Sequence, residues 1–427
     1  MTASTEEVSS AVYYTFAVFV LALSFSIALA QIALGVSLVL FIFAQFSRRN
    51  GPSIVGPLKW AMWIAIAYIA WLVFTCLIGS TPLASLEIAR EEWLFLIVPI
   101  GITVLRDPKR RAGIILFLAT GAFVIALYAI SQHWTGYTLF RTRELVPAPD
   151  SGYRVAGFFA HRLTFANVFS VTGIFLWAFA FRKETWAGQA LRRWFILLAA
   201  IAAMVASALT YSRGPIAAII IGLILTALIG GRKYAWRSVG IVVVAVTALL
   251  LLRPGLTARF SESFQQEVHG TYEGSRLYIW KHSLQIIEAH PIFGVGKGNF
   301  KPEYGKLLGP DVPAFRIQAH AHNDVLTVMA NSGIPGALLF VALWAAVLTG
   351  IIKLLRYGRG HPALHQWALA ALVASIVFLI NSLFEATFAD EEVRQILMFV
   401  WAAGLWPYWS GQGFLVNTSF SEPEKNN

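Results

Sequence analysis

Apolar runs long enough to cross a lipid bilayer recur along most of this chain, and they leave one architecture open. The hydrocarbon layer offers no water to backbone N–H and C=O groups, so an unbroken apolar run of about 17 to 25 residues crosses it as an α-helix. About twelve such stretches stand out, some short or tilted: 11–30, 31–46, 57–79, 92–105, 112–131, 164–181, 192–210, 214–230, 237–252, 334–353, 366–385 and 393–410. Of the 427 residues, 57% are apolar and 13% charged, which excludes an ordinary soluble globule. The predicted fold class is an all-α polytopic membrane protein.

Basic residues test the count, because cytoplasmic loops collect Lys and Arg. Arg48, Arg49 and Lys59, then Arg106 and Lys109 to Arg111, then Arg182, Lys183, Arg192 and Arg193, then Arg232, Lys233 and Arg237, then Lys353, Arg356 and Arg359 all fall on one face. An even number of spans puts both termini in the cytoplasm. Residues 1–10 contain two glutamates and no Lys or Arg, so the first run is expected to be a retained span rather than a cleaved signal. The expected organisation is helices one to nine over 1–252, with an outer-face loop near 132–163. A helical outer-face loop over 253–333, helices ten to twelve over 334–410 and a cytoplasmic tail over 411–427 follow. The net charge of +11 then serves topology and anionic headgroups; no groove-reading motif accompanies it, which excludes nucleic acid as partner. Cys76 is the single cysteine and forms no internal disulfide.

Basic residues on the outer face, such as Arg141, Arg143, Arg154, Arg162, Arg213, Arg253, Arg259, Arg276 and Lys297, work against the orientation signal. Solvation accounts for most of them; the remainder need a functional reason. In Tyr211-Ser212-Arg213-Gly214-Pro215 the Gly-Pro pair marks the start of span eight, whose positive dipole end Arg213 reinforces as an anion site. Ser275 N-caps an expected amphipathic helix over 275–290, with Leu277, Trp280, Leu284 and Ile287 at helical spacing and Pro291 as its stop. Arg276 therefore also sits at a helix start. The run Gly294-Val295-Gly296-Lys297-Gly298 follows no strand and reads as a tight turn with close backbone approach rather than a phosphate loop. In His320-Ala321-His322-Asn323-Asp324, Asn323 or Asp324 caps a short helix ended by Ser332-Gly333. The dipole end there disfavours a protonated imidazole at His322, and a neutral imidazole is what a general base needs. Two arginines and an imidazole at three helix starts describe a site for a diphosphate and a base. The outward carboxylates are scattered, so no metal site is expected and arginine would supply the neutralising charge.

At these residues the chain resembles the O-antigen ligase family of bacterial inner membranes, related to the O-antigen polymerases. The matching pieces are Arg154-Val-Ala-Gly-Phe-Phe-Ala-His161, Ser212-Arg213-Gly214, Ser275-Arg276 followed by Trp280, Pro291-Ile-Phe-Gly-Val-Gly296, and His322-Asn323 followed by Gly333-Ile-Pro-Gly336. The resemblance implies a GT-C-like glycosyltransferase with a periplasmic active site, working without cofactor or metal. Its donor would be a glycan on undecaprenyl diphosphate, and its acceptor the lipid A-core oligosaccharide. By motif, His322 would be the base, Arg213 and Arg276 would grip the diphosphate, and Arg154, His161 and Arg162 would assist in donor binding. Ser212, Asn323 and His320 would support them. The His320/His322 doublet departs from the family pattern, and the following Asn323 favours His322 as the acting imidazole. An O-antigen polymerase or a protein O-oligosaccharyltransferase would share this chemistry. A lipid-linked glycan transporter is the alternative of another class, but transporters favour repeated halves and midplane charges, whereas here no repeat is detected, the apolar spans are nearly free of charge and Glu385 lies close to the outer end of span eleven.

Overall fold

The computed structural model describes residues 3–46, 53–139, 144–181, 188–231, 240 and 275–410. The expected ninth span, the first part of the loop over 253–333, the tail, and Arg48, Arg49, Arg141, Arg143, Arg182, Lys183, Arg232, Lys233, Arg237, Arg253 and Arg259 lie outside the described residues. The fold is helical: α1 (Ala3–Ala22), α2 (Ile27–Phe46), α3 (Pro57–Ile78), α4 (Pro82–Ala89), a 3-10 turn over Arg90–Leu96, α5 (Ile97–Leu105), α6 (Pro108–Thr135), α7 (Arg162–Ala180), α8 (Ala190–Ala208), α9 (Arg213–Gly230), α10 (Arg276–Ala289), α11 (Phe300–Leu308), α12 (Asp324–Tyr357), α13 (Pro362–Ser382) and α14 (Glu391–Leu405). The one strand pair among the described residues is short: β1 (Ser53–Ile54) lies antiparallel to β2 (Trp409–Ser410). Eight of the described helices are long and apolar enough to cross a membrane, and the protein is a multi-pass membrane protein.

Local chemistry explains most boundaries. Proline opens α3, α4, α6 and α13, where its missing N–H is no loss. Asp107 caps α6 by accepting from the Lys109 N–H, and Gly136, at φ 67°, ends it. Two expectations are corrected. The boundary between the first two spans falls at 23–26, not 30/31, because Ser26 Oγ accepts from Leu29 N and caps α2. An apolar run conceals such a cap. The fourth span divides into a 3-10 turn and the nine-residue α5, with Glu91 and Glu92 held by buried cations. As expected, a short helix precedes the tenth span: it starts at Asp324, and Gly333 (φ 72°, ψ −179°) divides the two parts of α12.

Nearly all of α7 and most of α13 are buried, as helices apolar all round must be, and they form the centre of the bundle. They run antiparallel: Gln366 donates to Phe179 O, Asn381 to Ser170 Oγ, and Thr164 to Asp390 Oδ2. Glycines set the register of α9, because a Cβ at Gly222 would lie 2.7 Å from Val377 and 3.0 Å from Ile174, and one at Gly230 would lie 2.9 Å from Phe181 and 3.4 Å from Leu369. So α9 runs parallel to α7 and antiparallel to α13. The starts of α7, α9, α12 and α14 and the last turn of α13 therefore share one end of the bundle.

Candidate functional site

His322 occupies that end, in the loop before α12. Asn323 caps the helix by accepting from Leu326 N at 3.0 Å, and its amide donates to Leu383 O at 3.2 Å. His322 itself has φ 50°, a left-handed conformation uncommon for a residue with a Cβ. The His320 ring holds it there, with Nδ1 accepting from His322 N–H at 3.2 Å. The His322 ring lies between two side chains, Nδ1 at 2.8 Å from Glu385 Oε1 and Nε2 at 3.1 Å from Gln318 Oε1. His320 stands edge-on to it, ring centres 4.3 Å apart.

Glu385 organises the cluster. Its second oxygen meets Arg276 at 3.6 Å, and Arg276 Nε donates to the neighbouring Phe384 O at 3.0 Å. As expected, Ser275 caps α10, accepting from Tyr278 N at 3.2 Å. The inward face of α10 is Ile279, Ser283, Ile286 and Ile287, so of the stripe expected from spacing only Ile287 packs inward, while Leu277 and Leu284 are exposed. Burial pushes the Glu385 carboxyl up, but the hydrogen bond to His322 and the positions of His320 and Arg276 outweigh it, and its pKa is lowered from 4.5. Burial, with His322 next, pushes the His320 imidazole down to about 4 despite Glu385, so His320 is neutral at neutral pH. Nothing in the spacing of the sequence pointed to Glu385 as His322's partner, 63 residues away. Its place at the outer end of an apolar span was the only signal.

The segment 291–299 explains how His322 is held. Its backbone fills the break in α12: Ile334 N donates to Pro291 O, Val295 N to Ala330 O and Gly296 N to Asn331 O, all at 2.8 to 2.9 Å. Such close approach requires glycine. A Cβ on Gly333 would lie 2.0 Å from Ile292 O, and one on Gly294, at φ 66°, would lie 2.5 Å from Asn331. The glycine run is a wedge that fixes the short helix carrying His322 and Asn323 at its start. Lys297 anchors the wedge, reaching Glu92 at 2.8 Å and Glu91 at 3.1 Å, and Arg394 grips the same two carboxylates at 3.0 and 3.2 Å. Buried charges persist only when paired in this way. Asp324 ties the far side, accepting from Thr387 Oγ1 and from Phe388 N, each at 2.9 Å.

The remaining candidates form a second wall at the same end. Arg213 is the first residue of α9. Gly222 lies beside Val377, and Arg213 precedes Gly222 by nine residues, so the antiparallel register puts Arg213 towards the end of the bundle where α13 finishes at Ser382. Ser212 is the N-cap residue by backbone angles, with a buried side chain that makes no cap bond. Tyr211, at φ 57°, stacks over His133. The segment carrying Arg154 lies beside this turn, with Val155 N donating to Leu209 O at 3.3 Å and Tyr153 N to His133 O at 2.8 Å. His161 is exposed at the N-cap of α7, and Arg162 opens that helix. So Arg276, His320, His322 and Asn323 are joined directly through the 383–385 turn, while Arg154, His161, Arg162, Ser212 and Arg213 share their end of the bundle on other elements.

Ring nitrogens of His320 and His322 and an oxygen of Glu385 lie within 4.8 Å of one another, a spacing that could hold one cation. Arg276 on the same carboxylate opposes a second positive charge there. The arrangement otherwise offers a carboxylate-oriented imidazole beside a guanidinium, which suits proton removal next to an anion.

No curated protein matches the chain. Residues 197–341 match the model of the O-antigen ligase family, a segment that holds Arg213, Arg276, the glycine wedge, His320 and His322 but ends before Glu385. Over that segment the chain is similar to the O-antigen ligase family.

Proposed function

We propose that the protein is an O-antigen ligase of GT-C-like architecture in the bacterial inner membrane. It transfers a glycan from undecaprenyl diphosphate to the lipid A-core oligosaccharide at a periplasmic site. The observation that carries this reading is the 2.8 Å contact between His322 Nδ1 and Glu385, with Arg276 on the same carboxylate. In the tautomer that donates Nδ1–H to Glu385, Nε2 carries the lone pair, and the Gln318 amide presents its N–H there in place of its oxygen. An acceptor hydroxyl reaches Nε2 by taking the place of Gln318. Its oxygen then attacks the anomeric carbon as Nε2 takes its proton, and the carbon–oxygen bond to the diphosphate breaks with its electron pair leaving on undecaprenyl diphosphate. Arg276 and Arg213 bind that departing charge, with Arg154, His161 and Arg162 along the donor path. One displacement inverts the anomeric centre, and no covalent intermediate or metal is needed.

Purified protein given a lipid-linked glycan in the presence of EDTA is expected to modify core lipid. Growth of the glycan on a second carrier without core modification would make the protein a polymerase, and transfer to a protein acceptor would make it an oligosaccharyltransferase. Loss of transfer in EDTA, restored by a divalent cation, would overturn the arginine-based mechanism.

A further inference from the structure

A cavity of about 190 Å³ opens beside the α1–α2 turn. Three stretches far apart in sequence line it: residues 22–28, residues 158–160, and the first turns of α14 through Glu392 and Gln395. Thr164 bonded to Asp390, at 2.6 Å, closes α7 onto the start of α14, so the cavity shares the site end of the bundle. Glu385 and Glu392 lie on either side of the short turn that joins α13 to α14. A chain-like substrate reaching His322 has this cavity within its range.

The lining specifies what fits. Gln395, which is 1% exposed, forms part of the cavity wall. Glu392 lies three residues earlier on the same helix face, and burial together with Asp390 pushes its carboxyl up to about 7. Ser26 Oγ, which accepts from Leu29 N, adds a hydroxyl. Facing these polar groups are the rings of Phe25, Phe158 and Phe159. Phe158 is fixed by stacking on Tyr128 at 4.5 Å, and Phe159 by its edge contact with Phe165 at 5.6 Å.

Polar groups at the edge and aromatic rings against the face match a molecule with hydroxyls around its rim and C–H bonds on its faces. An acyl chain would set hydrocarbon against the Glu392 carboxyl and the Ser26 hydroxyl. A phosphate would meet a carboxyl group. A volume of about 190 Å³ leaves room for a ring. We propose that this cavity binds one neutral sugar unit of the glycan, away from the bond being transferred. The inference rests on the glycan-transfer reading for the identity of the chain, but its test does not require transfer.

Saturation-transfer NMR on the full chain in a sugar-free detergent, with the methyl glycosides of glucose, galactose, mannose and N-acetylglucosamine as probes, tests it. At least one glycoside is expected to receive saturation from the wild type and from His322→Ala alike, with the signal falling at least fivefold in Gln395→Leu. Should Gln395→Leu fail to fold, Ser26→Val serves, since it adds bulk at the cavity mouth, and is expected to reduce the signal similarly. Absence of saturation for all four glycosides, or equal saturation in the variants, overturns the proposal and leaves a water-filled cavity. Sugar binding without any transfer would overturn the glycosyltransferase reading and leave the sugar site standing.

Discussion

The two walls at the site end of the bundle are built differently. The His322 wall is cross-linked by side chains: Glu385 meets His322 and Arg276, Asn323 caps α12 while reaching Leu383, and Asp324 receives Thr387 and Phe388. The Arg213 wall is set by main-chain contacts, through the 153–155 segment beside the α8–α9 turn and the glycine register of α9 on α13. Side-chain cross-links fix individual atoms, which proton transfer demands; helix starts fix only where a charge lies, which is enough to bind a diffuse anion.

That contrast breaks first at His322. His322→Ala is expected to lower kcat by about 10²- to 10⁴-fold, the range for losing a positioned general base, with donor affinity nearly unchanged. A lowered donor affinity with normal kcat would move His322 to the binding wall. Arg213→Ala is the opposite test. It is expected to lower kcat/KM for the donor by about 10²-fold, as for removal of one group that stabilises developing charge, with KM rising as well as kcat falling. Arg213→Lys should recover part of this, because a point charge replaces a planar fork. A variant with unchanged KM would detach Arg213 from the donor.

The same contrast explains what the sequence reveals. Helix starts are local, so Ser275, Asn323, the break at Gly333 and the Gly-Pro opening of span eight were readable from neighbouring residues. Cross-links are not local. Glu385 pairs with His322 across 63 residues, and Lys297 pairs with Glu92 across 205, and no periodicity reports such pairs. Lys297 resembled other loop cations until the fold paired it with Glu91 and Glu92. The α1–α2 turn was missed for a further reason: Ser24 and Ser26 sit in a run apolar enough to read as continuous helix.

Glu385→Gln sharpens the comparison within the cross-linked wall. Glutamine keeps the shape but loses the charge that orients the Nδ1–H bond and balances Arg276, so transfer should fall roughly 10- to 100-fold, below the effect of His322→Ala. The stability signature follows from the direction of the shift. The folded carboxyl titrates below 4.5, so its stabilising contribution is complete above that value and disappears as pH falls through the lowered folded pKa. The melting-temperature gap between wild type and Glu385→Gln should therefore be constant from neutral pH to about 5 and close in stronger acid. A gap that closes near neutrality would mean that Glu385 is not the ionised partner.

The smallest effect belongs to His320. Its imidazole, pushed down to about 4 by burial and His322, carries no charge at working pH and so cannot grip a phosphate. What it does is accept the N–H of His322 and hold that residue at φ 50°. His320→Asn keeps a side-chain acceptor near that N–H and should retain transfer within about threefold, whereas His320→Ala frees the backbone and should lower it about tenfold, on the scale of one net hydrogen bond. In both variants the donor KM should stay put, because neither touches the arginine wall. If His320→Ala matched His322→Ala in kcat, the two imidazoles would have to act as a pair, and the division between an atom-fixing wall and a charge-placing wall would need a third member.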